Sequence, residues 1–380
     1  MNPRRLRAVA RKEFLHVIRD WRSLFLALAI PMVLILLFGY ALNLDLNQVP
    51  TAVWDQSRTP QSRDFLRFFD GSPYFAITAR HETYRALQQD LDAGRAILAV
   101  VVPSDFAEDV QADRTARVQV LADGSDANTS RLALGYVRGL GLLYTRKLNV
   151  ERVRLLGGTA PDPPVELVPR AWYNPALRSQ DMIIPGIIAI VMMVIAAMLT
   201  SVTVAREWET GTMEQLISTP LRGPELILGK VVPYFAIGYA DVAVAVVLGR
   251  GLFGVPFRGN AGLLFLVVTL FLTGALFFGL MLSVTLKKQV VANQAALLAG
   301  FLPTLLLSGF VFAIENMPVP IQWLTYVVPA RYFIALLRGI YLKGIGLEIL
   351  FLNALLLFFY AALMVALANR RMKLKLEETG

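Results

Sequence analysis

REWETGTMEQLISTPLRGPELILGK, residues Arg206 to Lys230, is a short charged and polar stretch between two long apolar runs, Met182–Ala205 and Val231–Leu248. Apolar runs of about 18 residues or more are long enough for a helix to cross a bilayer. A compact, patterned polar loop between two such runs reads as an element gripped from outside the membrane. Within it, Thr212 and Gln215 have capping-box spacing and predict the start of a short helix. Met213, Leu216 and Ile217 then share one face. Thr219-Pro220 ends that helix, because a residue before proline is pushed out of the α region. Gly223-Pro224-Glu225 opens the next, with proline in the favoured first turn.

Composition agrees with a membrane setting. The chain has 380 residues, of which 56% are hydrophobic and 17% charged, against roughly a quarter charged in soluble domains. There are no cysteines and only two histidines, His16 and His81. That excludes disulfides, thiolate nucleophiles and Cys-ligated metals, and leaves no His-rich metal site. The net charge of +9 is explained first by the sidedness of Lys and Arg in membrane proteins, so no nucleic-acid partner is expected.

Six transmembrane helices are expected: Leu24–Leu42, Met182–Ala205, Val231–Leu248, Ala261–Leu286, Val290–Phe312 and Leu347–Ala368. Residues 1–23 carry Arg4, Arg5, Arg7, Arg11, Lys12, Arg19 and Arg22, and the tail 369–380 carries Arg370, Arg371, Lys373 and Lys375. Lys287 and Lys288 mark the turn between spans four and five. The positive-inside rule puts both termini in the cytoplasm, and an even number of spans agrees. No small-residue cleavage pattern follows the first run at Asn43–Asn47, so that run is not read as a signal peptide. Arg4–Arg22 reads as an amphipathic interfacial helix with Val9, Phe14, Val17, Ile18 and Trp21 on its apolar face, or as a merely basic flank.

Residues 43–181 then form an external domain inserted between helices 1 and 2, nearly neutral in charge. Strands are expected at Val49–Trp54, Tyr74–Thr78, Ala96–Val102 and Arg117–Leu121. Helices are expected at Pro60–Phe69, Glu82–Ala93, Pro103–Val110 and from Ala127 to Leu148 or beyond. Such alternation predicts a mixed α/β fold. Asp123-Gly124-Ser125-Asp126 lacks the rest of a calcium loop and reads as a turn with Asp126 capping a helix. No catalytic constellation is present in this domain.

Arg206-Glu207-Trp208-Glu209-Thr210-Gly211-Thr212-Met213-Glu214-Gln215-Leu216, Thr219-Pro220-Leu221, Glu225-Leu226-Ile227 and Gly229-Lys230 together resemble the loop of type-2 ABC export permeases. Asn174-Pro175 and Ile184-Pro185-Gly186 resemble the same family. So does the order of one span, a large external domain and five further spans within 182–368, and the resemblance covers essentially the whole chain. It implies that 206–230 is a cytoplasmic coupling loop seated in a cleft of a separate cytosolic ATP-binding subunit. Arg206, Glu207, Glu209, Gly211, Thr212, Met213, Glu214, Leu216, Ile217 and Pro220 are its expected coupling residues. It also implies a second permease copy or sister permease, and leaves room for a periplasmic adaptor protein on the large domain. The implied location is the bacterial inner membrane, and the implied activity is export of drugs or lipid-like amphiphiles. Trp208 departs from the shorter polar residue or arginine expected there.

A phosphate-binding loop requires G-x-x-x-x-G-K-[ST]. At the nearest approach, Gly229-Lys230, Val231 replaces the hydroxyl residue and Pro224 the first glycine. The chain is therefore read as a non-enzymatic permease with no cofactor of its own, whose ATP is bound by the partner.

Asp241 lies near the middle of span three. It is either a functional carboxylate or a neutral acid held by a hydrogen bond across the bundle. Asn293 and Gln294 enter span five as pathway-lining or helix-joining polar groups. Ala292, Ala296 and Gly300 form a small-residue stripe that packs either within the chain or between two permeases. Residues 313–346 are too polar and proline-rich to span, and read as an external re-entrant segment. There Arg331 and Arg338 are placed to meet lipid headgroups or, in a second reading, anionic cargo. Two other functions stay open: an ion-coupled secondary transporter using Asp241, and a non-transporting membrane scaffold.

Overall fold

The computed structural model describes residues 2–41, 47–155, 172–175 and 178–379. The cleavage-site reading at Asn43–Asn47 falls mostly outside these residues, and the side chains of Lys373 and Lys375 are not described. The chain divides into two compact units, one of residues 1–43 with 170–380 and one of residues 44–169.

The first unit opens with α1 (Pro3–Arg19) and α2 (Trp21–Ala41), broken at Asp20. Asn2 starts α1 by accepting a hydrogen bond from the Arg4 N–H at 3.0 Å, with Pro3 next in the first turn. The apolar face expected of α1 is only partly used inside the chain. Val9 is buried, while Phe14, Ile18 and Trp21 are exposed.

The second unit is a four-stranded mixed sheet with helices on both faces. Its elements run β1 (Val49–Asp55), α3 (Pro60–Asp70), β2 (Phe75–Arg80), α4 (Tyr84–Asp92), β3 (Leu98–Val102), α5 (Phe106–Gln111), β4 (Gln119–Ala122) and α6 (Ala127–Leu155). The sheet order is β2-β1-β3-β4; β1 is parallel to β2 and β3, and β4 is antiparallel to β3. Successive side chains of a strand face opposite ways, and β3 uses both faces. Leu98, Val100 and Val102 join Phe65, Phe69 and Phe106 in one core. Ala99 and Val101 pack with Ala52 and Leu87 in another. A strand covered on both sides reads as an unbroken apolar run, as this one does. Asp126 Oδ1 accepts from the N–H groups of Asn128 and Thr129 at the start of α6.

The first unit resumes with α7 (Ser179–Ser201), α8 (Thr203–Glu209), α9 (Thr212–Ile217), α10 (Gly223–Gly251), α11 (Ala261–Leu286) and α12 (Gln289–Leu307). A 3-10 turn at Ile314–Asn316 leads to α13 (Val319–Thr325) and α14 (Pro329–Arg338). A π-helical turn at Gly339–Lys343 then leads to α15 (Leu347–Thr379). Helix α7 is the bundle's centre, packed by α2, α10, α11, α12 and α14 and buried along almost its whole length.

Among the described residues, five helical stretches rather than six are long and apolar enough to cross a membrane: Ser179–Glu209, Gly223–Gly251, Ala261–Leu286, Gln289–Leu307 and Leu347–Met372. Helix α2, expected as the first span, contributes the shorter apolar stretch Ala27–Ala41. Helix α12, expected to reach Phe312, stops at Leu307. Gly309 turns the chain there with a φ of +79°, a conformation costly for residues with a Cβ. The chain expected as a separate tail continues as helix to Thr379.

The small stripe of α12 is buried within the chain rather than left for a second copy. Ala292 and Ala296 are fully buried, and a side chain at Gly300 would touch Ala197 and Met193 of α7. The opposite side of α12 exposes Leu297, Leu298, Leu302 and Leu306.

Candidate functional site

The loop 206–230 hangs from the end of α7 through a helix break at Val202. Such a break frees backbone N–H groups. Here Val204 and Ala205 both donate to Ser283 Oγ of α11, at 3.0 and 2.8 Å. Thr200 Oγ1 donates to the Leu276 carbonyl at 2.8 Å. A side chain at Gly279 would collide with the Ala197 carbonyl and Thr200, so α11 fits against α7 only because that position is glycine. The direction in which α8 leaves the bundle is thereby set by α11.

Each charged residue of α8 has a distinct anchor. Glu209 accepts from the Gln289 backbone N–H at 3.0 Å and from Gln289 Nε2 at 2.5 Å. It thus places a carboxylate at the start of α12, where helix N–H groups favour one. Arg206 Nε donates to Gln289 Oε1 at 3.3 Å, and its Nη1 meets His16 Nε2 of α1. The Trp208 ring carries the Lys287 ammonium 4.1 Å from its centroid. Trp208 therefore ties α8 to the turn between α11 and α12.

Glu207 lies in a buried charge cluster. Its Oε1 accepts from Lys12 Nζ at 3.0 Å and Lys230 Nζ at 3.1 Å, and its Oε2 accepts from Thr212 Oγ1. Lys230 Nζ also donates to Glu13 Oε1 at 2.6 Å and to the Thr203 carbonyl at 3.4 Å. Two ammonium groups face two carboxylates, so the cluster is neutral. Lys230 is only 2% exposed and Glu13 5%, and burying such groups is tolerable only when they are paired and hydrogen-bonded. The cluster joins α1, α8 and α10. A cavity of about 270 Å³ opens beside it, lined by Lys12, Glu13, His16, Arg206, Glu207 and Tyr234 among others. Gly229 lets α1 lie directly on α10, since a side chain there would meet Val9. Glu225 closes the arrangement, accepting from the Asn2 N–H at 2.6 Å and the Arg222 N–H at 3.2 Å. Arg5 donates to the Pro220 carbonyl.

The expected capping box at Thr212 is not formed. Gly211, with φ +71°, precedes α9 without a side-chain cap, and the Thr212 hydroxyl is spent on Glu207. The apolar face of α9 turns inward, with Met213 fully buried and Leu216 and Ile217 half-buried against the helical core. Glu214, Gln215 and Ser218 face out, as do Glu209, Thr210, Gly211 and Pro220 beside them. Of the residues singled out from the sequence, Arg206, Glu207, Glu209, Thr212 and Pro220 hold the loop in place. Met213, Leu216 and Ile217 seat it, and Glu214 and Gly211 stand on its open surface.

Lys12, Glu13 and Lys230 were not legible as site residues. One signal existed: Glu13 is the sole acid within Pro3–Arg19, a stretch otherwise strongly basic. Asp241 stands apart, 11 residues beyond Lys230 along α10, or about 16 Å at the helical rise. It is buried, and its Oδ1 has no hydrogen-bond partner among the described residues. Asn293 is half-buried and Gln294 exposed.

Five helical stretches long and apolar enough to cross a membrane, with a polar loop clamped between them by ion pairs, point to a multi-pass membrane protein, and comparison with known proteins gives its class. Residues 21–369 match the ABC-2 family transporter protein family. The chain is 38% identical to the probable multidrug ABC transporter permease YbhS of Escherichia coli (strain K12), over 98% of each chain. It is 28% identical to the probable multidrug ABC transporter permease YbhR of the same strain, over 91% of this chain and 92% of that one. It is 27% identical to that strain's inner membrane transport permease YhhJ, over 80% and 79%. The chain belongs to the ABC-2 transporter family. It is a multi-pass integral membrane protein of the permease type, not an enzyme, and membership implies an ATP-binding partner chain.

Proposed function

We propose that this chain is the membrane subunit of an ATP-driven exporter, worked by a separate cytosolic ATP-binding subunit that docks on the exposed face of α9. The observation that carries this reading is the anchoring of Glu207, which binds the loop to α1 and α10 at once. A push on α9 then reaches α7, α10 and α1 as a unit rather than bending a loose loop. Coupling of this kind needs an element with two arrangements that both sites bias, and a neutral buried ion cluster can re-pair between two helix positions. Both termini face the cytoplasm and the α/β unit lies on the outer side, because the basic residues cluster at the chain ends and at Lys287-Lys288. The membrane is a bacterial inner membrane. A second copy or a sister permease completes the pathway, and an adaptor protein seats on the α/β unit. The multidrug names of the YbhS and YbhR relatives favour drugs or lipid-like amphiphiles as cargo.

The test is co-purification of the full chain with its ATP-binding subunits, followed by ATPase assay in lipid vesicles. Glu214→Lys, on the open face, is expected to lose most subunit retention and stimulation while the permease itself folds normally. Unchanged retention and stimulation in that variant would overturn docking on α9. The buried, unpartnered carboxyl oxygen of Asp241 favours one second reading, ion-coupled transport. Vesicles holding the chain alone, with an imposed proton gradient, decide between the two. Uptake abolished by Asp241→Asn would establish the second, and no uptake without ATP would remove it.

A further inference from the structure

At the end of the bundle away from the loop, α12, α14 and the start of α7 meet. Phe310 fills the space that the missing side chain at Gly186 leaves open. Arg338, the last residue of α14, reaches back to this junction, where its Nη1 donates to the Gly309 carbonyl at 3.4 Å. Its Nε and Nη2 are shut off from solvent and have no hydrogen-bond partner among the described residues. Those two nitrogens share one edge of the guanidinium. Their N–H bonds lie side by side, the geometry that grips a carboxylate or phosphate with two parallel hydrogen bonds.

Two features around the guanidinium add to this. Ser308 Oγ, next to the glycine that supplies the lone acceptor, is also buried and unpartnered among the described residues. Helix α13, packed on α12, exposes Val319, Ile321, Trp323 and Leu324, with Tyr326 just beyond it. Trp and Tyr beside exposed aliphatic residues suit the boundary between lipid tails and headgroups. Arg331, seven residues before Arg338, is by contrast already engaged, donating to Thr325 Oγ1 with its guanidinium 3.9 Å from the Tyr326 ring centroid. A guanidinium has five donors, no acceptor and a permanent charge. Leaving one edge of it dry and unpaired is costly, so the position calls for an oxyanion that the described residues do not supply.

We propose that Arg338 is the recognition residue of a site for the phosphate or carboxylate head of an amphiphile, held between α12 and α14. The tail of that amphiphile lies along the apolar surface of α13. The head belongs either to a resident anionic phospholipid or to an amphiphilic cargo molecule, and both present the same chemistry to the guanidinium. The site does not depend on ATP coupling and stands if docking on α9 fails.

Native mass spectrometry of the full chain, released from discs of phosphatidylcholine alone or mixed with phosphatidylglycerol, tests the proposal. Wild type is expected to retain a tightly held phosphatidylglycerol. Arg338→Gln loses it, with apparent affinity weaker by about tenfold or more, the scale of a lost charge-assisted pair. Arg338→Lys, which keeps the charge but not the fork, falls between, and Arg331→Gln behaves as wild type. Titration with dodecyl phosphate against inorganic phosphate separates the sources. Displacement of the lipid by dodecyl phosphate alone indicates an amphiphile site open to cargo. No displacement by either indicates a resident lipid. Thermal unfolding covers the case in which retention is hard to read: phosphatidylglycerol raises the midpoint of wild type and leaves that of Arg338→Met unmoved. Equal lipid retention in wild type and Arg338→Gln, or an equal shift in wild type and Arg338→Met, overturns the proposal.

Discussion

The two ends of the helical bundle treat buried charge in opposite ways. At the loop end, Lys12, Glu13, Glu207 and Lys230 neutralise one another within 2.6 to 3.1 Å. At the far end, Arg338 keeps one edge of its guanidinium unpaired among the described residues. A closed cluster holds helices together and carries force between them, whereas an open one marks where something from outside completes the structure.

The comparison breaks most readily at Lys230. Lys230→Met leaves Glu13 and Glu207 buried without their shared cation, which is expected to cost about 3–5 kcal/mol. It should appear as a large fall in the unfolding midpoint of the purified permease and loss of ATPase stimulation. Adding Glu13→Gln to Lys230→Met should recover part of the midpoint. A Lys230→Met chain as stable as wild type would mean that the cluster holds nothing.

Gly279→Ala gives a smaller effect. The new methyl would collide with the Ala197 carbonyl and Thr200 Oγ1, and such overpacking costs about 1–3 kcal/mol. Because it strikes where α8 leaves the bundle, ATPase stimulation should fall further than stability does. Equal loss in both would make Gly279 a packing residue only.

The smallest effect comes from a paired acid in the α/β unit whose arginine partner is largely exposed. Asp90 lies 2.6 Å from His81 Nε2 and accepts from Arg95 Nε at 2.8 Å. The His81 contact first, then Arg95, holds its carboxyl below the ordinary carboxylate value. A depressed folded-state pKa stabilises above the unfolded value of about 3.9 and loses that contribution as pH falls through the folded value. Hydrogen exchange over 81–95 in the full chain should therefore speed up as pH drops below about 4, after correction for intrinsic rates. Asp90→Asn should exchange faster at neutral pH and lack that acid step. A step of the same size in Asp90→Asn would locate the titration elsewhere.

Much of the fold could be read from apolar run lengths. The span expected at Ala261–Leu286 is α11 to the residue, because Asn260 caps its start and the basic pair Lys287-Lys288 marks its end. The β3 strand was legible because burial on both faces leaves no polar interruption. The loop was legible as an element but not in its facing. Capping-box spacing at Thr212 suggested a self-contained helix, whereas Gly211 takes the capping position and Thr212, already the first helical residue, donates its hydroxyl to Glu207. Met213, Leu216 and Ile217 share a face in either reading, yet only packing on the bundle decides that this face points inward. The stripe Ala292, Ala296 and Gly300 was equally silent about whether its neighbour is α7 or another chain.

Local chemistry along the chain determined that this protein lives in a bilayer, that a polar loop interrupts its spans, and that it carries no ATP-binding loop of its own. Those properties depend on run length, residue type and short spacings, which fold along with their own neighbours. Tertiary structure alone decided that Glu13 and Lys230, 217 residues apart, share a buried ion pair, and that one edge of the Arg338 guanidinium has no partner among the described residues. Pairing of distant charges depends on which helices lie side by side, and sequence spacing carries no record of that.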